Sequence, residues 1–125
     1  GQTTLPKAAE AIRKMGPRAA IIKRGDAGAM VFFEDDIFCV PAIPTTAKDP
    51  TGAGDTFAGG LMGYLAKQGG LNRQNLRQAA VLGTVMASFT VEDFSLNRLA
   101  AIDETDIRRR VETIRDLTSF ESISL

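Results

Sequence analysis

The strongest constraint on this chain is KDPTGAGDTFAGG, residues 48–60, where a loop rich in small residues runs into a helix. Three prolines between residues 41 and 50 disfavour a helix or a central strand ahead of it. Residues 53–66 then have the pattern of a helix, and Gly69-Gly70 ends it. The chain therefore enters a long helix through a turn made of glycine and alanine.

The other segments alternate between helical and strand patterns. Further helices are predicted at residues 5–15, from Asn72 or Asn75 to about residue 91, and at 103–117; strands are predicted at Ala19–Lys23, Ala29–Phe33 and 37–40. Residues 92–101 read as irregular. This order predicts an α/β layered domain, but one strand between helices is too little for a complete doubly wound sheet.

Two charge patterns mark the last predicted helix. Glu104–Arg108 and Asp106–Arg110 have the spacing of ion pairs one helical turn apart. The run of three arginines at 108–110 is flanked by acids, so we interpret it as a solvated face. The small-residue face of the helix before it, around Gly83, predicts close approach of a sheet or of a flat ligand ring.

Bulk composition narrows the classes of function. The 125 residues carry 15 basic and 15 acidic side chains, so no nucleic-acid or anionic-membrane partner is indicated, and no apolar run could span a bilayer. The absence of histidine argues against Ser-His or Cys-His nucleophiles and common zinc sites. The single cysteine, Cys39, fits a reducing compartment, which predicts a cytoplasmic protein. Its apolar neighbours predict a buried strand residue.

The turn before the helix has the chemistry of an anion site. The first N–H groups of a helix lack internal partners, and the small residues Gly52, Ala53 and Gly54 would let an anion approach them. A P-loop is excluded, because Asp55 stands where lysine would follow Gly54. A dinucleotide fingerprint is excluded, because it would require glycine where Phe57 stands.

Asp55 allows two interpretations from the residues alone. It would repel a bound phosphate, but a carboxylate beside an anion hole suits an alcohol held between acid and phosphate, whose proton it accepts. Alternatively, Asp55 only complements the helix dipole, with Thr51 as the N-cap.

Residues 49–62, DPTGAGDTFAGGLM, resemble the C-terminal signature of the ribokinase-like (PfkB) carbohydrate kinases over fourteen consecutive positions. The resemblance implies a ribokinase-like three-layer α/β/α fold that is incomplete here, with the C-terminal part of a Rossmann-like sheet and its flanking helices. Residues 1–125 would be the C-terminal nucleotide-binding and catalytic portion of the kinase domain. The N-terminal portion, with the substrate contacts and the lid, would be absent.

The resemblance also implies ATP-dependent phosphorylation of a sugar or nucleoside hydroxyl, with Mg²⁺ as cofactor. Asp55 would be the catalytic base, and Gly52, Ala53 and Gly54 would form the anion hole with the Asp55 N–H. The residues that it places along the nucleotide are Lys23, Arg24, Gly25, Asp26 and Gly28, and those that it places beside the adenine are Leu82, Gly83 and Met86. The isolated chain is predicted to be inactive.

Other implied features are weaker matches. Asp49 and the Thr51 carbonyl resemble the first half of a monovalent-cation site, for which K⁺ is the candidate. Glu92 and Asp93 stand where the second half has a small residue, and this departure argues against potassium activation. An Asn-x-x-Glu motif that helps place magnesium in the family is missing near the corresponding place, and a homodimer would form through the absent lid. The alternative function is a non-catalytic nucleotide-binding or structural module.

Overall fold

The computed structural model describes residues 1, 3–94 and 97–125. Its elements, in chain order, are α1 (Leu5–Lys14), β1 (Ala19–Lys23), β2 (Ala29–Phe33), β3 (Asp36–Val40), α2 (Ala53–Gln68), α3 (Arg73–Thr90), α4 (Asn97–Ala101) and α5 (Glu104–Thr118). A short 3₁₀ turn, Gly25–Ala27, joins β1 to β2. None of the helices in these ranges combines the length and the apolar character needed to cross a membrane.

The three strands form one antiparallel sheet in the order β1-β2-β3. Because side chains alternate along a strand, β2 faces two helical layers. Phe32 packs with Ala9 of α1 on one side, and Val31 and Phe33 pack with α2 and α3 on the other. The three-layer α/β/α arrangement is thus confirmed, and the strands of it that the structure describes are all antiparallel.

The larger core lies between the sheet and the helices that follow it. Its fully buried side chains include Val31, Val40, Val85 and Phe89, from β2, β3 and α3. Ile114 brings α5 into the same core. Full burial of each such side chain stabilises the fold by about 1.5–3 kcal/mol relative to exposure, so this cluster fixes how α2, α3 and α5 lie on the sheet.

The helix ends follow local rules. Gly69 takes a left-handed conformation (φ 76°) just after α2, and its N–H donates to Ala66 O. Of the two candidate caps for α3, the structure selects Asn72, whose side chain accepts the Asn75 N–H at 2.8 Å. Asn75 instead donates its side-chain amide to Gly70 O at 3.1 Å. The two asparagines together fix the turn between α2 and α3.

The small residues of α3 let it pack closely on α2. A Cβ atom at Gly83 would lie 2.7 Å from the Phe57 carbonyl oxygen, and one at Gly60 would lie 3.1 Å from Met86. The expected close neighbour of this face was a sheet or a ligand ring, and the structure shows that it is a helix. The reason is that backbone-to-backbone approach of two helices needs residues without side chains at the crossing.

Gly83→Ala is expected to destabilise the protein by about 1–3 kcal/mol, since the new methyl group must push α3 away from the α2 backbone. Gly63→Ala is the matched control, because a Cβ there meets nothing within 4 Å and α2 would gain up to about 1 kcal/mol. Urea unfolding of the complete protein measures both. Equal stabilities for the two variants would contradict the close crossing.

Cys39 lies on a strand, as expected, but it is exposed. Phe38 and Val40 point towards the helical core, so Ile37 and Cys39 point to the opposite face. Helix α1 covers that face only over β1 and β2. The apolar run around Cys39 therefore does not show which of its residues are buried.

The C-terminal region corrects three further expectations. Residues 97–101, expected to be irregular, form α4. The Glu104–Arg108 pair is confirmed, but Asp106 pairs with Arg109 at 3.5 Å instead of Arg110. Arg110 turns inwards, with only 18% of its side chain exposed, and binds Glu92. Arg110 thus forms a half-buried ion pair with Glu92 instead of the exposed pair with Asp106 that helical spacing predicts. Of the three arginines, Arg108 and Arg109 belong to the solvated face.

Candidate active site

A cavity of about 710 Å³ opens between the turn after β1, the irregular segment before α2, and the faces of α2 and α3. Its size is within the range of small-molecule sites, about 300–1,000 Å³. The predicted site residues that line it are Lys23, Gly25, Asp26, Gly28, Ala53 and Gly54. The turn after β1 and the start of α2, which are about 25 residues apart in the sequence, therefore line the same cavity.

The turn after β1 is closed by its own hydrogen bonds. The Arg24 N–H donates to Gly28 O at 2.8 Å, and the Gly28 N–H donates to Gly25 O at 3.2 Å. The Arg24 guanidinium donates to Ala27 O at 3.2 Å and so stays with the turn; Arg24 is not among the residues that line the cavity. Gly28, with φ 82°, passes directly beneath Val40 and Pro41.

Helix α2 begins without a side-chain cap. The N-cap is Gly52, in the left-handed conformation (φ 81°), so the expectation of Thr51 as the N-cap is wrong. The Thr51 N–H instead donates to Asp49 Oδ1 at 2.9 Å. Thr56 closes the first turn by donating its N–H (2.9 Å) and its hydroxyl (3.0 Å) to Gly52 O.

The N–H groups of this first turn are unequally available. The Ala53 N–H donates to Pro50 O at 3.2 Å. The N–H groups of Gly54 and Asp55 donate to no acceptor within the described residues. These two predicted donors thus remain open for an anion, and the partial positive charge of the helix start adds to them.

Asp55 occupies the third position of α2 and is exposed. No ion pair joins it to a basic side chain in the part of the chain that the structure describes. Its carboxylate is therefore accessible beside the two open N–H groups. Such an arrangement can accept a proton from an alcohol placed next to a bound phosphate.

Lys23 brings a positive charge to the same helix start. Its Nζ lies so close to Gly54 that a Cβ there would be 2.7 Å away, and it is 5.5 Å from the Phe57 ring centroid. A cation at the N-terminus of a helix is electrostatically unfavourable by itself. An anion between Lys23 and the open N–H groups would relieve this repulsion, because it would interact favourably with the ammonium group and accept hydrogen bonds from the N–H groups.

Some predicted site residues lie elsewhere. Leu82, Gly83 and Met86, expected beside the adenine, are not among the lining residues, because Gly83 and Met86 are needed at the crossing with α2. The α3 residues that do face the cavity are Thr84, Ala87 and Ser88, followed by Val91 just after the helix. The face of α3 that lines the cavity is thus not the face on which the adenine contacts were predicted.

The expected monovalent-cation region is largely engaged by the chain itself. The Val91 carbonyl accepts the N–H groups of Lys48 (2.7 Å) and Asp49 (3.3 Å). Lys48 Nζ lies 3.9 Å from Asp93 Oδ1. Hydrogen bonds from the Thr51 side chain and N–H lower the pKa of Asp49. The described residues contain no cluster of three or more acidic, histidine or cysteine side chains that could hold a metal.

Glu92, noted in the sequence only as a departure from the cation-site pattern, is the centre of a polar cluster that the sequence did not predict. Its Oε1 accepts the Thr45 hydroxyl at 2.9 Å and a hydrogen bond from Arg110, and its Oε2 accepts Arg98 Nε at 3.0 Å. Arg110 also donates to Ser88 Oγ at 2.8 Å. The partners lie 6, 18 and 47 positions away, so no periodic pattern could have indicated the cluster.

The charge of Glu92 is stabilised by this cluster. Burial raises the pKa of its carboxyl, but the hydrogen bonds from Thr45, Arg98 and Arg110 outweigh burial and hold the pKa below its ordinary value. A lowered folded-state pKa means that the ionised form favours folding. The resulting stability is present at neutral pH and is lost as the pH falls through the folded-state pKa.

Comparisons with known proteins agree on one group. The sequence model described as pfkB family carbohydrate kinase matches residues 1–101. The chain is 35% identical over 82 residues to a nucleoside kinase of Methanothermobacter thermautotrophicus, covering 66% of this chain and 25% of the relative. It is 35% identical over 95 residues to an inositol 3-kinase of Arabidopsis thaliana, covering 72% of this chain and 26% of the relative.

A solved structure shares the fold. Aminoimidazole riboside kinase from Salmonella enterica, complexed with aminoimidazole riboside and an ATP analog, superposes with a TM-score of 0.75 at 24% identity. The match covers 89% of this chain and 37% of that one. The chain spans about a quarter of the length of the two curated relatives.

Proposed function

Since this chain belongs to the pfkB family of carbohydrate kinases, we propose that the protein carrying it transfers a phosphoryl group from ATP to a hydroxyl of a sugar or a nucleoside. One observation carries the proposal: Asp55, the open N–H groups of Gly54 and Asp55, and the Lys23 ammonium meet at one helix start. This start borders a cavity of about 710 Å³, through Gly54 and Lys23.

The proposed reaction is an in-line displacement. The Asp55 carboxylate accepts the proton of the alcohol, whose oxygen forms the new bond to the γ-phosphorus as the bond to the β-γ bridging oxygen breaks and ADP leaves. The Gly54 and Asp55 N–H groups and Lys23 hold the negative charge of the transferred group. Magnesium bound to the nucleotide phosphates would add charge neutralisation, and no step passes through a monovalent cation.

The nucleotide is proposed to lie in the cavity, along the turn that contains Gly25, Asp26 and Gly28. Supporting this, the structural relative from Salmonella enterica was solved with an ATP analog. The alcohol is proposed to be held by residues outside this chain, in an N-terminal portion. In support, the chain spans about a quarter of its curated relatives, which are named as a nucleoside kinase and an inositol kinase.

The complete protein, screened with sugars, polyols and nucleosides, is expected to release ADP from ATP only when the right alcohol is present. The isolated 125-residue chain is expected to show no alcohol-dependent turnover, because the residues proposed to hold the alcohol lie outside it. Product detection by phosphorus NMR identifies the phosphorylated hydroxyl. A complete protein that binds ATP but phosphorylates no alcohol would favour the alternative, a non-catalytic nucleotide-binding module.

A further inference from the structure

We propose that Glu92 is a positioning residue of the nucleotide cavity: it fixes the wall formed by Thr45 and the last turn of α3, so that nucleotide affinity depends on it. The inference rests on the proposed function to the extent that the cavity binds the nucleotide. Glu92 itself need not touch the ligand, since it acts through Thr45, Ser88 and Val91, all of which line the cavity.

The wall before α2 has little structure of its own. Residues 41–50 form neither a helix nor a strand, yet Ile43, Pro44, Thr45 and Ala47 all face the cavity. This segment is fastened to the end of α3 by the Thr45 hydroxyl on Glu92 and by the Lys48 and Asp49 N–H groups on the Val91 carbonyl. Of these three contacts, the one to Glu92 is made by side chains on both partners, and the Lys48 ammonium adds a longer ion contact, 3.9 Å, to Asp93 Oδ1.

The Glu92 carboxylate in turn accepts hydrogen bonds from two arginines. Arg98 comes from α4 and Arg110 from α5, and both guanidinium groups lie over the Phe89 ring, at 5.4 Å and 3.8 Å from its centroid. Arg110 also binds the hydroxyl of Ser88, which lines the cavity. With 21% of Glu92 and 18% of Arg110 exposed, these contacts are shielded from water and restrict the carboxylate more than a surface pair would.

The geometry separates binding from chemistry. Glu92 is connected to the wall of the cavity, whereas the start of α2, which carries Asp55, is joined to the last turn of α3 by its own hydrogen bond, from the Thr90 hydroxyl to the Thr56 hydroxyl at 2.9 Å, and not through Glu92. Loosening Glu92 should therefore displace groups that contact the nucleotide while leaving the proposed base in place. The expected signature is a higher KM and dissociation constant for ATP with nearly constant kcat.

Glu92→Gln in the complete protein tests this inference, because the amide keeps the shape but turns one donor towards an arginine. We expect the dissociation constant for ATP, measured by calorimetry, and the KM for ATP each to rise about tenfold, a change of about 1.4 kcal/mol in binding free energy. The kcat should stay within about twofold of the wild-type value. Thr45→Val removes only the link to the wall and should weaken ATP binding by about threefold. The double variant should lose less than the product of the two effects.

Glu104→Gln is the matched control, since it removes an acid–arginine pair that is exposed on α5 and far from the cavity. It should leave ATP binding unchanged. If Glu92→Gln lowers the melting temperature but not ATP affinity, Glu92 is merely structural and the inference is wrong. If Glu92→Gln does not fold, Thr45→Val decides, and unchanged ATP affinity overturns the inference. A wild-type protein that binds no ATP overturns the proposed function itself.

Discussion

Asp55→Asn is expected to lower kcat of the complete enzyme by about 10²–10⁴-fold, because an amide cannot accept the proton of the attacking alcohol. Asparagine has nearly the same size, and Asp55 is exposed at the helix start, so the fold should be unaffected. ATP affinity should be equal or slightly higher, since a negative charge next to the phosphate site is removed.

Steady-state kinetics and calorimetry with ATP measure the two quantities separately. Asp116→Asn is the control, because Asp116 is another exposed helical aspartate, on α5 and away from the cavity. It should retain full activity. A variant at Asp55 that keeps kcat within about tenfold of the wild type would show that the carboxylate is not the base, and that it only complements the helix dipole.

Gly28→Ala is expected to have the largest effect on stability, at least about 3 kcal/mol. Gly28 has φ 82°, which strains any residue with a side chain. An added Cβ would also overlap the Val40 carbonyl oxygen and come within 2.8 Å of the Ala42 N and 2.9 Å of the Pro41 carbonyl carbon. These are backbone atoms, so neither side can move without opening the wall of the cavity.

Gly70→Ala is the comparison for this variant. A Cβ at Gly70 meets nothing within 4 Å, and its φ lies outside the left-handed region. Thermal and urea unfolding of the complete protein should show a change of less than about 1 kcal/mol for Gly70→Ala and a marked loss of folded protein for Gly28→Ala. A folded Gly28→Ala variant of wild-type stability would contradict the close passage of the turn beneath β3.

Much of the fold is predictable here because local signals agree. The bounds of β1 and β2 follow from short apolar runs separated by a glycine turn, and Gly69 marks the end of α2. Burial was harder to predict, because which side of a strand is covered depends on how far another element reaches. Cys39 is exposed for this reason: α1 stops short of β3.

In the candidate site too, local sequence predicts some features, and others depend on how distant elements pack. The start of α2 and the turn after β1 are each a continuous stretch of sequence, and most of the residues predicted in them line the cavity. The cavity face of α3 could not, since which way a helix turns depends on its crossing with α2 at Gly83. The Glu92 cluster could not be predicted either. Helical spacing indicated Asp106 as the partner of Arg110, but Arg110 binds Glu92, which lies in the turn after α3.

The position of Arg110 determines where a shortened version of this protein can end. The matched family region ends at residue 101, and α5 begins at Glu104, beyond that boundary. Yet α5 supplies one of the two arginines that neutralise Glu92, and Ile114 fills the core beneath α3. A truncation designed on the family boundary would remove both, leaving a half-buried carboxylate with one cation behind the cavity wall. The final helix is thus an integral part of this unit and should be retained in any shortened or fused version.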